Sequence, residues 1–225
     1  MTGAYDRLVP LIGSDGLARL KHSSVLVVGV GGVGGAAVEA LARCGVGRLT
    51  FVDGDVFEPS NLNRQLLCTL DAIGKNKAVI AAERARSVNA DVITEAIPEF
   101  FGTGNSARIL GAGYSFCIDA IDDIDGKAEL ITSCKSAGVP IISAMGAGNR
   151  VTTDFEYTDI YKTRYDPFAK IMRKALKNAG VKSLDVVCAT TEPTVKSGTP
   201  ASMAAPPMIM GLMLANFAVM RLVGI

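Results

Sequence analysis

Short apolar runs alternate with segments of helical periodicity along the first two thirds of the chain. Val25–Val30, Leu49–Asp53, Val92–Ile97, Ser115–Ala120 and Val139–Ala144 are apolar almost throughout. That is the pattern of strands covered on both faces. Between them Gly34–Arg43, Asn76–Ser87, Asn105–Leu110 and Gly126–Ser136 read as helices, the first closed by Gly45. This alternation predicts an α/β fold, a Rossmann-like, doubly wound and mainly parallel sheet.

Past Gly146-Ala-Gly148-Asn149 the pattern changes. Val151–Ile160 alternates and carries Thr, Asp and Glu, so it reads as a half-exposed strand. Phe168–Asn178 reads as an amphipathic helix. Phe168, Ile171, Met172, Ala175 and Leu176 share one face, and Lys170, Arg173, Lys174 and Lys177 the other. Ser183–Thr191 reads as a further strand and Pro207–Leu222 as a closing helix. The expected organisation is one unit over residues 1–225, with a nucleotide-binding part at 1–150 and a mixed β/α, substrate-facing extension at 151–225. The apolar run from Met203 to Val219 approaches the length of a bilayer span, but Pro206-Pro207 interrupts it and Asn216 lies within it. A buried helix or a dimer face is expected there, and no membrane span.

Composition narrows the classes. With 225 residues, 49% of them apolar, the chain can bury a substantial core in one domain. A net charge of +1 rules out a polyanion binder by bulk charge. Distribution says more: residues 161–182 hold seven bases, from Lys162 and Arg164 through Lys170, Arg173, Lys174 and Lys177 to Lys182, against one acid, Asp166. Such a patch suits a docked nucleic acid or another phosphate-rich ligand, and equally suits a solvated helix face. The five cysteines, Cys44, Cys68, Cys117, Cys134 and Cys188, form no CxxC pair, so a structural zinc site is not expected. An odd count with no signal peptide points to a reducing cytoplasm. His22, the only histidine, precedes the first strand and is a poor general base.

The chemistry concentrates where strands end. Gly29, Gly31, Gly32 and Gly34 form a turn into a helix N-terminus, a ready seat for a pyrophosphate that many unrelated enzymes share. Asp53 closes the second strand, where a Rossmann acid holds ribose hydroxyls, and Asp55 follows it. The discriminating residues are Asn61, Arg64 and Lys77, with Gln65 beside Arg64 in the expected nucleotide site. A dinucleotide has no triphosphate tail and needs no such cations, whereas displacement at phosphorus needs charge neutralised on its oxygens. The weaker alternative for either cation alone is a surface charge. Asp119 and Asp122 sit at the C-terminal edge of the next strand. Either can hold Mg²⁺ together with substrate phosphates, and Asp122, just past the strand, is the better placed; Asp119 and Asp123 can instead cap the following helix. ATP and Mg²⁺ are therefore the expected cofactors.

Taken together, these residues resemble the ubiquitin-activating-enzyme-like superfamily of adenylating enzymes. The likeness rests on the glycine loop, Asp53, Ser60-Asn61-Leu62-Asn63-Arg64-Gln65, Lys77 and Asp119-Ala-Ile-Asp122. It implies that Asp53, Asp55 and Asp119 join the nucleotide site and that Arg64, Lys77 and Asp122 act in catalysis. It further implies that Arg7, in Tyr5-Asp6-Arg7, reaches the ATP of a partner subunit in a homodimer. Two departures stand out: Leu8 replaces the usual Gln, and Gly35 the usual Ser. Tyr114, Lys127, Gly146-Ala-Gly148, Thr158-Asp159-Ile-Tyr-Lys162-Thr163 and Asp166-Pro167 resemble in particular the tRNA threonylcarbamoyladenosine dehydratase branch. That likeness implies ATP-driven cyclisation of threonylcarbamoyladenosine in tRNA. It implies tRNA rather than DNA as the partner, with backbone contacts from Lys162, Arg164, Lys170, Arg173, Lys174 and Lys177. It leaves open whether a sulfur-transfer partner assists. An intramolecular ring closure needs no enzyme nucleophile, which suits a chain whose Cys188 reads as structural. Three rival readings are an adenylyltransferase for a ubiquitin-like sulfur carrier, a nicotinamide dehydrogenase and a nucleotide-sensing scaffold. The missing Cys pairs count against the first, and Arg64 and Lys77 against the other two.

Overall fold

The computed structural model describes residues 3–195 and 201–225. The elements run α1 (Val9–His22), β1 (Ser24–Val28), α2 (Gly32–Arg43), β2 (Arg48–Val52), α3 (Lys77–Val88), β3 (Ile93–Ile97), α4 (Ser106–Leu110), β4 (Phe116–Asp119), α5 (Ile124–Ala137), β5 (Ile141–Ala144), β6 (Phe155–Asp159), α6 (Pro167–Asn178), β7 (Asp185–Ala189) and α7 (Ala205–Val223). Short 3₁₀ turns lie at Pro59–Asn61, Leu70–Ala72 and Ile160–Lys162. The expected strands and helices are present, with ends that move by up to four residues.

The strands form one sheet in the order β3-β2-β1-β4-β5-β7-β6. Every pairing is parallel except β6 with β7. The doubly wound reading therefore holds, and strands of the 151–225 segment continue the same sheet. Residue alternation divides the core. Val25, Val27, Leu49 and Phe51 pack on one face with α2, α3 and α7; Leu26, Val28, Cys117 and Val186 pack on the other with α4, α5 and α6. Strand order reverses between β1 and β4, and there Val28 pairs with both Val52 and Asp119. That register brings Gly29, Asp53 and Ala120 together at the carboxyl edge, where ligands of such sheets bind.

Two glycines make this junction possible. Gly29 has φ +81°, and a Cβ there would lie 2.6 Å from the Ala120 carbonyl oxygen. Gly34 lets α2 lie against the turn, since a Cβ there would sit 1.8 Å from the Gly29 carbonyl oxygen. Helix α7 packs along α2 in the same way: Gly211 faces the Val33 carbonyl oxygen, which a Cβ would meet at 2.0 Å. By length and composition α7 is the one helix among the described residues apolar enough to cross a membrane. Half of that stretch is buried inside the protein, with Met210, Leu214, Ala215 and Ala218 in the core.

The structure differs from the sequence pattern in two places. The pattern gives no sign of α1, because Pro10, Gly13 and Gly16 break its periodicity; Gly13, at φ +73°, kinks it. Ile171 was grouped with the apolar face of α6, yet it is 49% exposed, and Ala169 takes its place beside Met172 and Leu176.

The close approach at Gly34 yields a stability prediction. Gly34→Ala should lower the urea midpoint by the equivalent of about 1–3 kcal/mol, because the added methyl displaces the Gly29 turn. An unchanged midpoint would show that the turn shifts freely.

Candidate active site

A cavity of about 890 Å³ opens at the carboxyl edge of the sheet. Gly29, Gly31, Gly32, Asp53, Asp55, Arg64, Gln65, Lys77 and Asp122 line one part of it. Gly146–Arg150, Asp166–Phe168, Pro193, Ala201 and Ser202 line another. Phe100, 70% exposed, stands where its ring closes over Gly54. A second cavity of about 380 Å³, bordered by Lys135 and Lys182, contains none of these groups.

The glycine turn is fixed from below. The Val30 N–H donates to Asp53 Oδ2 at 2.8 Å, and the Asp55 N–H to Asp53 Oδ1 at 2.9 Å. Burial pushes the Asp53 carboxyl above its usual range, against the pull of those two N–H donors and of Lys77. Each carboxylate oxygen keeps a lone pair for a further donor. No side chain caps the start of α2, so its first N–H groups are left for solvent or a ligand. Gln65 is 7% exposed and lies along Gly31, and its Oε1 is buried with no partner among the described residues. An orphan acceptor and uncapped donors on one wall are the complement of a polar ligand.

Lys77 begins α3, and its ammonium reaches Asp55 Oδ2 at 2.9 Å. Asn76 sets that geometry. Its Oδ1 accepts from the Ala78 and Val79 N–H groups, and its Nδ2 donates to the Asp53 and Asp55 carbonyls at 3.0 Å each. The Arg64 guanidinium donates to the Ser60 carbonyl at 2.8 Å and to Asn63 Oδ1 at 3.1 Å. Asp122 projects from the loop after β4 with no hydrogen bond or ion pair among the described residues, whereas Asp123 caps α5 through the Gly126 N–H.

Three expected ligand contacts are placed elsewhere. Asn61 is absent from the cavity wall; its Oδ1 accepts from the Glu58 N–H in a capping box that builds the Pro59–Asn61 turn. Gly34 also stays behind the wall, in contact with Gly29. Asp119 is fully buried and paired at 2.9 Å with Lys127, itself fully buried. It accepts from the Ser143 hydroxyl and the Ile121 N–H, and it does not line the cavity. Among the described residues no cluster of three or more His, Cys, Asp or Glu is placed to hold a metal on its own. Arg7 is exposed and does not line its own chain's cavity.

Of the basic residues on and near α6, Lys162, Arg164, Lys170, Lys174 and Lys177 are exposed. Arg173 is half-buried and donates to the Thr163 carbonyl and hydroxyl, tying the helix to the preceding turn. The part of the wall around Gly146–Arg150 was not assigned from sequence. Its signal was present: Gly146-Ala-Gly148 directly follows a buried strand, as Gly29-Val-Gly31 does.

Cys188 lies behind the site. Burial, and then the adjacent Asp166 carboxylate, push its thiol up to about 12, so it stays protonated at neutral pH. An unfolded thiol ionises near 9, so between about 9 and 12 the unfolded state binds fewer protons and stability falls as pH rises. Cys188→Ala should therefore lose less stability than the parent between pH 8 and 11 in urea titrations. Equal losses would show that this thiol does not govern the alkaline limb.

Comparison with known proteins adds to this geometry. The family model described as the ThiF family matches residues 5–225. The tRNA threonylcarbamoyladenosine dehydratase of Bacillus subtilis is 38% identical over 197 residues, covering 87% of this chain and 78% of that protein. The Escherichia coli protein of the same name is 38% identical over 169 residues, and the match spans 75% of this chain and 63% of that protein. Crystal structures of that E. coli dehydratase, TcdA, in complex with AMP and with ATP superpose with TM-scores of 0.92 and 0.91. Both are 31% identical and cover 96% of this chain and 92% of theirs.

Proposed function

The chain belongs to the ThiF family, and on that basis we propose that it is an ATP-dependent tRNA threonylcarbamoyladenosine dehydratase. The observation that carries the reading is the convergence of Gly29–Gly32, Asp53, Arg64, Gln65, Lys77 and Asp122 on one cavity. The chain as a whole resembles a dehydratase crystallised with ATP and with AMP. The site of action proposed is the cytoplasm, and the partner is tRNA.

The donor set fits a nucleotide. The uncapped start of α2 receives phosphate oxygens, Asp53 accepts from ribose hydroxyls, and Gln65 Oε1 gains a donor. Lys77 and Arg64 hold the phosphate oxygens on which charge grows. Magnesium, when bound, draws charge from the phosphates, and Asp122 is the carboxylate that would hold it, the other ligands being phosphate and water. Arg7 is exposed and free of its own cavity, which suits a reach into the partner site of a homodimer.

The reaction has two steps. The carboxylate of the threonylcarbamoyl group attacks the α-phosphorus, and pyrophosphate leaves with the electron pair. The neighbouring carbamoyl group then attacks the acyl carbon, loses its proton and expels AMP, closing a ring with net loss of water. The second step joins two ends of one molecule, so the cavity need supply orientation and dryness rather than a nucleophile.

The direct test is nucleoside mass spectrometry on modified tRNA incubated with protein, Mg²⁺ and ATP. The expected product is the modified adenosine short by one water, formed only with ATP and abolished by Arg64→Ala at unchanged stability. An unchanged nucleoside beside ATP–pyrophosphate exchange driven by a protein ending in Gly-Gly would assign the chain to sulfur-carrier activation instead. The cationic face of α6 has its own test. Reversing Lys170 and Lys174 to Glu should weaken tRNA binding and reduce the salt dependence of log K by about two. Binding with an unchanged salt slope would return that face to plain solvation.

A further inference from the structure

Among the described residues Arg150 is the one cationic side chain on the Gly146–Arg150 part of the wall, and it is 4% exposed. Its Nε donates to the Gly146 carbonyl at 3.3 Å and its Nη1 to the Thr191 carbonyl. A guanidinium has five N–H groups, so three remain, none with an acceptor among the described residues. No carboxylate lies within ion-pair distance of it; the six ion pairs among the described residues all involve other side chains. The nearest acid on this wall, Asp166, reaches the other side of the Gly146 peptide. Its carboxylate is already occupied by the Gly146, Phe168 and Ala169 N–H groups.

A buried cation without a counter-ion is costly unless an anion is delivered to it. The surrounding loop is built to hold it still. Asn149, at φ +59°, takes the Thr194 N–H on its carbonyl at 2.7 Å, and its backbone and side chain exchange bonds of 2.7 Å with Ala201. The Val151 N–H donates a further bond to Thr194 Oγ1 at 3.2 Å. Two separate segments, at Thr194 and at Ala201, thus fix the residues on either side of Arg150.

We propose that Arg150 binds the free carboxylate of the substrate's acyl group, an inference that rests on the dehydratase reading above. Two of its N–H groups are spent on carbonyls, so its remaining ones meet one carboxylate oxygen. The second oxygen forms the new bond to the α-phosphorus while pyrophosphate departs with the electron pair. Arg150 donates no proton in this step. Its role is to select a substrate that carries a carboxylate and to aim it.

The test compares two anticodon stem-loop RNAs without ATP, one carrying threonylcarbamoyladenosine and one carrying adenosine. The parent protein should bind the modified RNA at least about tenfold more tightly, the scale of one charge-assisted contact. Arg150→Gln should erase that ratio while affinity for the unmodified RNA and for ATP stays unchanged. A ratio preserved in Arg150→Gln overturns the proposal. If Arg150→Gln does not fold, Arg150→Lys decides. A guanidinium needed only by the two carbonyls predicts a lower melting temperature with the ratio intact, whereas carboxylate binding predicts a reduced ratio. A parent protein that fails to distinguish the two RNAs and removes no water with ATP overturns the dehydratase reading itself.

Discussion

The site depends on a buried ion pair that touches no ligand. Lys127 and Asp119 are both fully buried, 2.9 Å apart, on α5 and at the end of β4. Removing two charges from water costs several kcal/mol each, and the pair recovers that only if its remaining valences are met. Here they are. Lys127 donates to the Ile121 carbonyl at 2.9 Å and lies 5.7 Å from the Phe168 ring centre, while Asp119 accepts from Ser143 and from the Ile121 N–H. Both backbone groups of Ile121 are thereby held by one ion pair. The loop Ala120–Asp122 cannot drift, which keeps the Ala120 carbonyl against Gly29 and Asp122 at the cavity wall.

The glycine-turn part of the cavity wall is held by a second device of the same kind, made from neutral donors. Asp53 uses its carboxylate on Val30 and Asp55, and Asn76 uses its amide on the carbonyls of Asp53 and Asp55. The strand end, the glycine turn and the start of α3 therefore share one hydrogen-bonded frame. Lys77 follows Asn76, so its ammonium is aimed by the helix cap before any ligand arrives.

This explains which parts were legible in the sequence. Strand and helix order follows from apolar periodicity, because every central strand is buried on both faces. The gathering of the glycine turn, Asp53, Arg64, Gln65 and Lys77 on one cavity wall is legible because these residues follow strand ends and helix starts at short range. Asp119 is a different case, placed by the structure in the core and not on the cavity wall. A carboxylate at a strand end looks the same whether it faces the cavity or the core, and its partner Lys127 lies eight residues on, along a helix. Asn61 was likewise a capping residue with the chemistry of a ligand. Arg150 was missed because its setting is built from long-range contacts with Thr191, Thr194 and Ala201, which no local pattern encodes.

Asp166 ties helix α6 to the cavity wall. It caps α6 through the Phe168 and Ala169 N–H groups, and through the Gly146 N–H it fixes the loop that ends in Arg150. The opposite face of α6 carries Lys170, Lys174 and Lys177 into solvent. An RNA backbone drawn to those ammonium groups is attracted without regard to sequence. The same helix then presents its N-terminal turn, Pro167 and Phe168, at the wall of the cavity. Helix α6 thus carries the cationic face on one side and part of the cavity wall at its N-terminal turn, so a contact on that face would stand at a fixed distance from the cavity.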